Sequence, residues 1–203
     1  MSTSPGHIYN KADTFDVILI VQSDFKCANV IAKKIYVNDI PTVNFSVNDS
    51  VQCFNGHSFD FTNTASIASG TMSHEWQFGD GNTSASVNPK HTFATSGNYT
   101  AKLIVTSNQN CIDSFEKPLQ ANPNADATYT INTNPQCFKG HSFNFTNSST
   151  ISSGSFISNW SLGDGTTSAN KDVSAKTYAS FMDSFTVKLV TTSDKQCKDS
   201  ITQ

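Results

Sequence analysis

The stretch "HEWQFGDGNTS" (residues 74–84) returns later in the chain as "SNWSLGDGTTS" (residues 158–168). In the first copy, glycines on both sides of Asp80 permit the positive φ angles of a tight hairpin turn, and the carboxylate can accept backbone N–H groups across it. Trp76 and Phe78 alternate in phase on the preceding strand, so both face one side of a sheet. The stretch therefore predicts a strand that ends in a structural turn. The predicted motif comprises Trp76, Phe78, Gly79, Asp80 and Gly81, with a second copy at Trp160, Gly163, Asp164 and Gly165.

The rest of the chain repeats in the same way. "QCFNGHSFDFTN" (residues 52–63) returns as "QCFKGHSFNFTN" (residues 136–147), 84 positions later. Residues 97–114 match residues 183–200 at an offset of 86, and residues 7–27 match residues 91–111 at an offset of 84. We therefore predict three repeats: the C-terminal half of a first (1–39), a complete second (40–122) and a nearly complete third (123–203). Because the pattern begins in mid-repeat, we expect the chain to be a piece of a longer array.

Within each repeat, apolar and polar residues alternate with period two. Turn clusters rich in Ser, Asn, Gly and Asp separate runs such as Tyr99, Ala101, Leu103 and Val105, which alternate with Thr100, Lys102, Ile104 and Thr106. This pattern favours short strands with one buried face, and hence an all-β sandwich. The half repeat lacks a sandwich partner, so we expect its apolar strand face to be exposed or covered by a neighbour. That face comprises Phe15, Val17, Leu19 and Val21.

Composition excludes several classes of function. All 13 basic residues are lysine and the net charge is -3. Because nucleic-acid binding draws most of its affinity from basic residues that neutralise phosphates, no nucleic-acid partner is predicted. No run approaches 18 consecutive apolar residues, so no membrane insertion is predicted.

The order of motif residues resembles that of the PKD (polycystic kidney disease) domain family. The pattern is Trp-x-Phe-Gly-Asp-Gly, then Thr-Ser, Pro-x-His-Thr-Phe and Gly-x-Tyr-x-x-x-Leu-x-Val. Beyond the turn motif, the second repeat matches it at Pro89, His91, Phe93, Gly97, Tyr99, Leu103 and Val105, and the third at Tyr178, Phe185 and Leu189. The third repeat departs from the pattern at Leu162, Lys176 and Asp183.

This resemblance implies tandem immunoglobulin-like sandwiches with no catalytic site and no cofactor. The variant with one Cys before the second strand and another near the last hairpin is similar to repeats of large bacterial surface proteins, notably adhesin-like and gliding-associated ones. Such repeats imply a location outside the cell or on its surface. The expected partners are neighbouring repeats of the same chain, a polysaccharide, or a surface or matrix protein.

The five cysteines fall two to a repeat, with Cys27 left over, which is typical of disulfides in an exported protein. Pairing within a repeat would join Cys53 to Cys111 and Cys137 to Cys197. In an immunoglobulin-like sandwich, however, these positions lie at opposite ends, about 20 Å apart, whereas disulfide Cα atoms lie within about 7 Å. End-to-end repeats would instead allow a Cys53–Cys197 bond between repeats. Both pairings, and free thiols, stay open at this point.

Other candidate chemistry is weaker. One carboxylate per turn falls short of the six to eight oxygens that calcium prefers, and neither lysine nor helix follows Gly-Asp-Gly to hold a phosphate. Cys53 with His57 would supply two of the four ligands of a structural zinc site, so we interpret His57 as a turn residue. His91 is replaced by lysine in the third repeat, which argues against catalysis. We expect no metal and no enzyme activity.

Two functions therefore compete. The first is a non-catalytic stalk or adhesin segment of a larger bacterial surface or secreted protein. Short connections between repeats, such as residues 38–42 and 121–126, fit stiff packing of consecutive repeats and not a flexible tether. The alternative is a polysaccharide- or matrix-binding module that accompanies a secreted hydrolase. A coplanar, exposed row of rings would favour binding, with Phe54 and Phe138 as the main stacking candidates. The other candidates are Phe25, Tyr36, Phe115 and Tyr129.

Overall fold

The computed structural model describes residues 4–179 and 184–203, so the departure at Asp183 lies outside the described residues. The described residues form only strands, bridges, turns and irregular segments, and they include no helix that could cross a membrane. The predicted all-β class is therefore confirmed. In chain order the strands are β1 (Asp13–Gln22), β2 (Ala28–Val37), β3 (Phe45–Val47), β4 (Val51–Cys53), β5 (Phe59–Asn63), β6 (Met72–Gln77), β7 (Thr83–Ser84), β8 (Lys90–His91), β9 (Gly97–Ser107), β10 (Ile112–Asn122), β11 (Tyr129–Ile131), β12 (Phe143–Asn147), β13 (Phe156–Ser161), β14 (Thr167–Ser168), β15 (Val173–Lys176), β16 (Lys188–Ser193) and β17 (Lys198–Thr202).

The chain divides into two compact units, each assembled from several segments. The first comprises Met1–Ser46, Phe61–Pro89 and Ala101–Lys117, and the second comprises Val47–Asp60, Lys90–Thr100 and Pro118–Gln203. Strands β9 and β10 contribute to both units because a boundary falls within each strand. The limits 1–39, 40–122 and 123–203 remain a prediction from the sequence repeats.

In the first unit, β1 and β2 form an antiparallel hairpin whose register runs from Asp13 opposite Val37 to Gln22 opposite Ala28. Many residues of the two strands are apolar or β-branched, which favours strand formation, yet they remain accessible to solvent. Val17, Leu19 and Val21 are 44%, 58% and 59% exposed. Phe15 is half-buried and stacks on Tyr9. The predicted exposure of this face is therefore confirmed.

The same unit has an aromatic core. The Trp76 ring lies 4.9 Å from that of Phe45 and 5.1 Å from that of Phe61, which brings β6 against β3 and β5. On β9, Ala101, Leu103 and Val105 are fully buried at alternate positions, as a strand with one buried face requires. Trp76 faces Leu103 across the β6–β9 ladder.

In the second unit, a three-stranded sheet (β11-β12-β15) and a four-stranded sheet (β14-β13-β16-β17) enclose a core. Trp160 lies at its centre, 5.0 Å from Tyr129 and 6.0 Å from Phe145 between ring centroids. The Tyr129 hydroxyl donates a 2.9 Å hydrogen bond to the Val187 carbonyl, so this buried polar group is satisfied. These sheets form an immunoglobulin-like β-sandwich.

The second repeat supplies two further sheets, ordered β4-β10-β9-β6-β7 and β3-β5-β8. Strand β4 extends the five-stranded sheet by a parallel ladder to β10, with Val51 opposite Gln120 and Cys53 opposite Asn122. This ladder lies in the second unit and carries one half of the disulfide described below.

Candidate functional site

Gly-Asp-Gly forms a tight turn in each repeat where it occurs. In the second repeat, Gly79 and Gly81 have φ angles of 88° and 90°, in the region that favours glycine. Asp80 Oδ1 accepts a 3.0 Å bond from the Asn82 amide, and Oδ2 accepts a 2.8 Å bond from Asn82 Nδ2. The carboxylate therefore stabilises its own turn.

The third repeat has the same turn with an added constraint. Asp164 Oδ1 accepts bonds from the Thr166 amide and hydroxyl at 3.1 and 2.6 Å. Gly163 has a φ of 85°, and a Cβ atom there would lie 2.7 Å from the Thr186 carbonyl oxygen. Glycine is thus required at position 163 both by conformation and by space.

Lys176, which departs from the family pattern, makes an ion pair with the turn. Its Nζ lies 2.5 Å from Asp164 Oδ2, and both side chains are largely shielded from solvent. The hydrogen bonds from Lys176 and Thr166 lower the pKa of Asp164 to about 2. Burial, with the Asp164 charge nearby, raises the pKa of Tyr178 to about 12. Lys176, which stands where the family pattern has a histidine, therefore pairs specifically with Asp164.

The two tryptophans of the motif lie in the sandwich cores. Trp76 and Trp160 are 0% and 1% exposed. Each indole N–H donates to a backbone carbonyl ten residues along: Trp76 to Ser86 at 2.9 Å, and Trp160 to Asn170 at 3.1 Å. Phe78 is also buried, so the motif has a packing role.

His57 and His141 join the loop before a strand to a distant segment, a role that the sequence interpretation as turn residues did not include. His57 Nδ1 donates to the Phe54 carbonyl at 2.5 Å, while its Nε2 accepts the Phe93 amide at 2.7 Å. His141 makes the same pair of bonds to Phe138 and Tyr178, both at 2.6 Å. The exact return of Cys-Phe-x-Gly-His-Ser-Phe in both repeats was the signal for this shared role.

The same bonds bear on metal binding, because both ring nitrogens of His57 already have partners and the neighbouring Cys53 is in a disulfide. Among the residues that the structure describes, no group of three or more His, Cys, Asp or Glu side chains could hold a metal ion.

Cys53 and Cys197 form a disulfide in the second unit. Their Cα atoms lie 5.4 Å apart although 144 positions separate them in the sequence. The bond connects the end of β4 to the turn between β16 and β17. Cys27, Cys111 and Cys137 are free thiols, so neither within-repeat pairing occurs in the structure.

Hydrogen bonds surround this disulfide. The Asn55 amide donates to Asn124 Oδ1 at 2.9 Å, and Asn124 Nδ2 donates to the Lys198 carbonyl at 2.8 Å. Asp199 Oδ2 accepts the Ala127 amide at 2.9 Å. The segment after β10 is thus held on one side by the β4–β5 loop and on the other by β17.

The candidate stacking rings do not form one exposed row. Tyr129 is a core residue with 4% exposure, so its assignment as a stacking candidate was wrong. Phe115 packs against Phe45, and Phe54 stacks on His57 with ring centroids 5.1 Å apart. Phe138 is 49% exposed, and Phe25 and Tyr36 are exposed at the β1–β2 hairpin.

An open groove of about 430 Å³ lies beside Phe138 in the third repeat. Its walls come from β11 and β12, from the loop between them, from described residues between β15 and β16, and from Gln203. The described residues that line it carry aromatic, aliphatic, imidazole, hydroxyl and amide side chains: Ile131, Asn134, Pro135, Gln136, Phe138, His141, Phe143, Phe145, Tyr178, Ser184, Phe185, Val187 and Gln203.

Solved structures of PKD domains are similar to part of this chain. The chain is similar in structure to the PKD1 domain of Epp from Vibrio anguillarum, at 24% identity over 42% of this chain and 98% of that one, with a TM-score of 0.38. It is also similar to the PKD1 domain of the metalloprotease PrtV from Vibrio cholerae, at 25% identity over 41% and 98%, with a TM-score of 0.37. No curated protein sequence gives a significant match.

The family comparison concerns the second repeat. Residues 38–122 match the sequence profile of the PKD domain family. This span contains the Trp76 motif, the Gly79–Gly81 turn and strands β3 to β10. The second repeat of this chain is therefore similar to a PKD domain.

Proposed function

We propose that this chain is a non-catalytic segment of a larger bacterial surface or secreted protein, in which linked sandwiches serve as a stalk or adhesin segment. The observation that carries the proposal is the Cys53–Cys197 disulfide, which ties the second sequence repeat to the third. A link of this kind limits how far a segment can extend when its ends are pulled. PKD domains are in general non-catalytic modules, which agrees with this role.

The similarity of residues 38–122 to PKD domains and the disulfide both support a location outside the cytoplasm, because disulfides persist in oxidising compartments. Hydrogen bonds next to the disulfide also restrain the segment at Asn124, which accepts a bond from the Asn55 amide and donates one to the Lys198 carbonyl. A covalent and hydrogen-bonded connection suits a part whose task is to set distance and resist proteolysis.

A second candidate function is binding of a polysaccharide or a surface or matrix protein, as an accessory to a secreted enzyme. The observation that favours it is Phe138, which is 49% exposed at the edge of the third-repeat groove. Rings exposed in this way can stack on sugars. The buried Tyr129 and the covered Phe115 and Phe54 weigh against an extended stacking platform.

A binding array of glycans and folded matrix proteins, probed with the full 203-residue chain, separates the two. The stalk proposal expects no specific ligand from a sample whose folding is verified by circular dichroism. A specific glycan hit that disappears in Phe138→Ala, but persists in Phe25→Ala, would contradict it in favour of the binding module. Phe25 is a suitable control because it is 92% exposed and lies at the β1–β2 hairpin.

A further inference from the structure

We propose that a polar cleft of the second unit binds a small zwitterionic ligand, a free α-amino acid with a polar side chain. We call it the junction cleft: it has a volume of about 190 Å³ and lies where the second sequence repeat meets the third. The second repeat contributes residues 96–98 and 120–123, and the third contributes residues 153–154 and 194–195, all of which belong to the second unit. The inference goes beyond the stalk role, which requires no ligand.

The side chain of Asn122 is the first observation that points to a ligand. Asn122 is only 7% exposed, yet its side-chain amide has no hydrogen-bond partner among the described residues. In described residues that are not exposed, every side-chain nitrogen or oxygen that is sealed from solvent does have a partner. The Asn122 amide is therefore open to solvent, and the junction cleft is the opening that Asn122 lines. A nearly buried amide without a partner favours a polar ligand that completes its hydrogen bonds.

Asp194 and Lys195 add one carboxylate and one ammonium to the same cleft. No described residue forms an ion pair or a hydrogen bond with either charged group, although the two residues are adjacent in the sequence. The turn that carries them is fixed, because the Asp194 amide donates a 2.9 Å bond to the Ser155 carbonyl. The carboxylate also lies against Gly154, where a Cβ atom would be 2.7 Å from Asp194 Oδ1. Both signs of charge are thus held in the cleft without a described partner.

The other side chains of the cleft are neutral and mostly polar. Asn98 and Gln120 add amides, and Ser96 and Ser153 add hydroxyls. A site with one charge of each sign and many neutral hydrogen-bonding groups favours a ligand that is neutral overall but carries both charges.

An α-amino acid has this distribution of charge. Its ammonium would face Asp194, its carboxylate would face Lys195, and its polar side chain would reach the Asn122 amide. A volume of about 190 Å³ corresponds to roughly six water molecules of about 30 Å³ each, which suits a ligand of this size.

The first unit contains a cleft of about 250 Å³ at equivalent positions, which allows a comparison within one chain. Asn38 there is equivalent to Asn122 at an offset of 84, and Gln109 is equivalent to Lys195 at an offset of 86. The Asp39 carboxylate of that cleft already accepts a 2.6 Å bond from a serine hydroxyl. Since glutamine replaces the ammonium there, we expect the zwitterion to bind the junction cleft and not the first-unit cleft.

The probe is L-glutamine, titrated into the full 203-residue chain labelled with ¹⁵N and followed by NMR. We expect saturable, one-to-one shifts of the Gly154 and Lys195 backbone amides and of the Asn122 side-chain amide. The Kd should lie in the range of about 0.1–10 mM, because the charged groups are exposed and such pairs are weak. Signals of Asn38 and Gln109 should stay in place.

Analogues of the ligand test each charge without any change to the protein. N-acetyl-L-glutamine lacks the ammonium and L-glutaminamide lacks the carboxylate. Each analogue should therefore bind at least about tenfold more weakly than L-glutamine, because one charge-assisted bond is lost.

Matched variants locate the site. Lys195→Gln, which copies the first-unit residue Gln109, should weaken binding of L-glutamine by at least about tenfold. Asp194→Asn should have an effect of the same size. Lys171→Gln removes an exposed lysine of the same repeat and should leave the affinity unchanged.

Four results would overturn the proposal: no saturable shift in the folded chain, equal binding of N-acetyl-L-glutamine, no effect of Lys195→Gln, or saturable shifts at Asn38 in place of those at Asn122. Tighter binding of N-acetylglucosamine than of L-glutamine at the same residues would assign the cleft to sugars instead. None of these results bears on the stalk role, which reduction of the disulfide under force tests separately.

Discussion

Cys53 and Cys197 are 144 residues apart in the sequence, yet a disulfide holds their Cα atoms at 5.4 Å. Cys53 is the last residue of β4 in the second sequence repeat, and Cys197 lies in the turn between β16 and β17 of the third. The bond therefore connects two repeats, while Cys27, Cys111 and Cys137 remain as thiols.

Removing this bond should destabilise the fold. We expect the double variant Cys53→Ala/Cys197→Ala to lose about 2–5 kcal/mol in free energy of unfolding, because the unfolded chain regains the entropy of a long loop. Urea denaturation followed by circular dichroism measures the change. Cys27→Ala is the control, since Cys27 is an exposed free thiol. An equal and small effect of both changes would mean that the disulfide contributes little.

The histidine bridge should be structural. His57→Ala removes both a donor to Phe54 and an acceptor for the Phe93 amide, so we expect a loss of about 1–3 kcal/mol in unfolding free energy. Hydrogen exchange at the Phe93 amide should accelerate in the variant. His7→Ala, at an exposed position, is the comparison. If His57→Ala were no more destabilising than His7→Ala, the bridge would have no energetic role.

The Asp164–Lys176 pair should stabilise the third repeat above the acid range. The pKa of Asp164 is lowered to about 2 in the folded state, so its contribution is present above the ordinary aspartate pKa near 4 and is lost as pH falls toward 2. We expect Lys176→Met to cost about 1–2 kcal/mol at pH 7 and progressively less between pH 4 and pH 2. Urea denaturation monitored by Trp160 fluorescence, in a Trp76→Phe background, measures this.

The control for that series is Lys171→Met, which removes a charge from an exposed position of the same repeat. Its effect should be small at every pH. A Lys176→Met cost that does not change between pH 7 and pH 2 would contradict the assignment to the Asp164 carboxylate.

The two glycines of the third-repeat turn should differ in tolerance. Both have a positive φ, 85° at Gly163 and 86° at Gly165, so alanine is strained at either. Only at Gly163 would the new Cβ also meet the Thr186 carbonyl, at 2.7 Å. We expect Gly163→Ala to destabilise by at least about 1 kcal/mol more than Gly165→Ala in thermal or urea unfolding. Equal costs would show that the backbone conformation alone matters.

Much of the fold could be predicted from the sequence because the relevant signals are local. Period-two alternation along residues 99–105 predicts a half-buried strand, and the structure confirms it at Ala101, Leu103 and Val105. The exposed face at Val17 and Leu19 follows from the repeat register in the same way.

The cysteine pairing and the groove depend instead on tertiary geometry. Sequence alone left three cysteine arrangements open, since pairing depends on which ends of the sandwiches meet. It also ranked Tyr129 with exposed rings, because aromatic residues at strand starts occur both in cores and at surfaces; its hydroxyl bond to Val187 fits it into the core. The double bonding of His57 required the position of Phe93, 36 residues away.

Single-molecule force spectroscopy of the full chain, held at its two ends, tests most directly the proposal that the Cys53–Cys197 disulfide limits how far the repeats can extend. With the disulfide intact, the 144-residue stretch between Cys53 and Cys197 cannot extend, so a reducing agent should add roughly 500 Å of contour length on unfolding. A gain of only roughly 200 Å would instead indicate a Cys53–Cys111 loop, which spans 111 − 53 = 58 positions. No gain at all would show that no disulfide limits extension, and would contradict the proposal that these repeats are covalently linked to bear load.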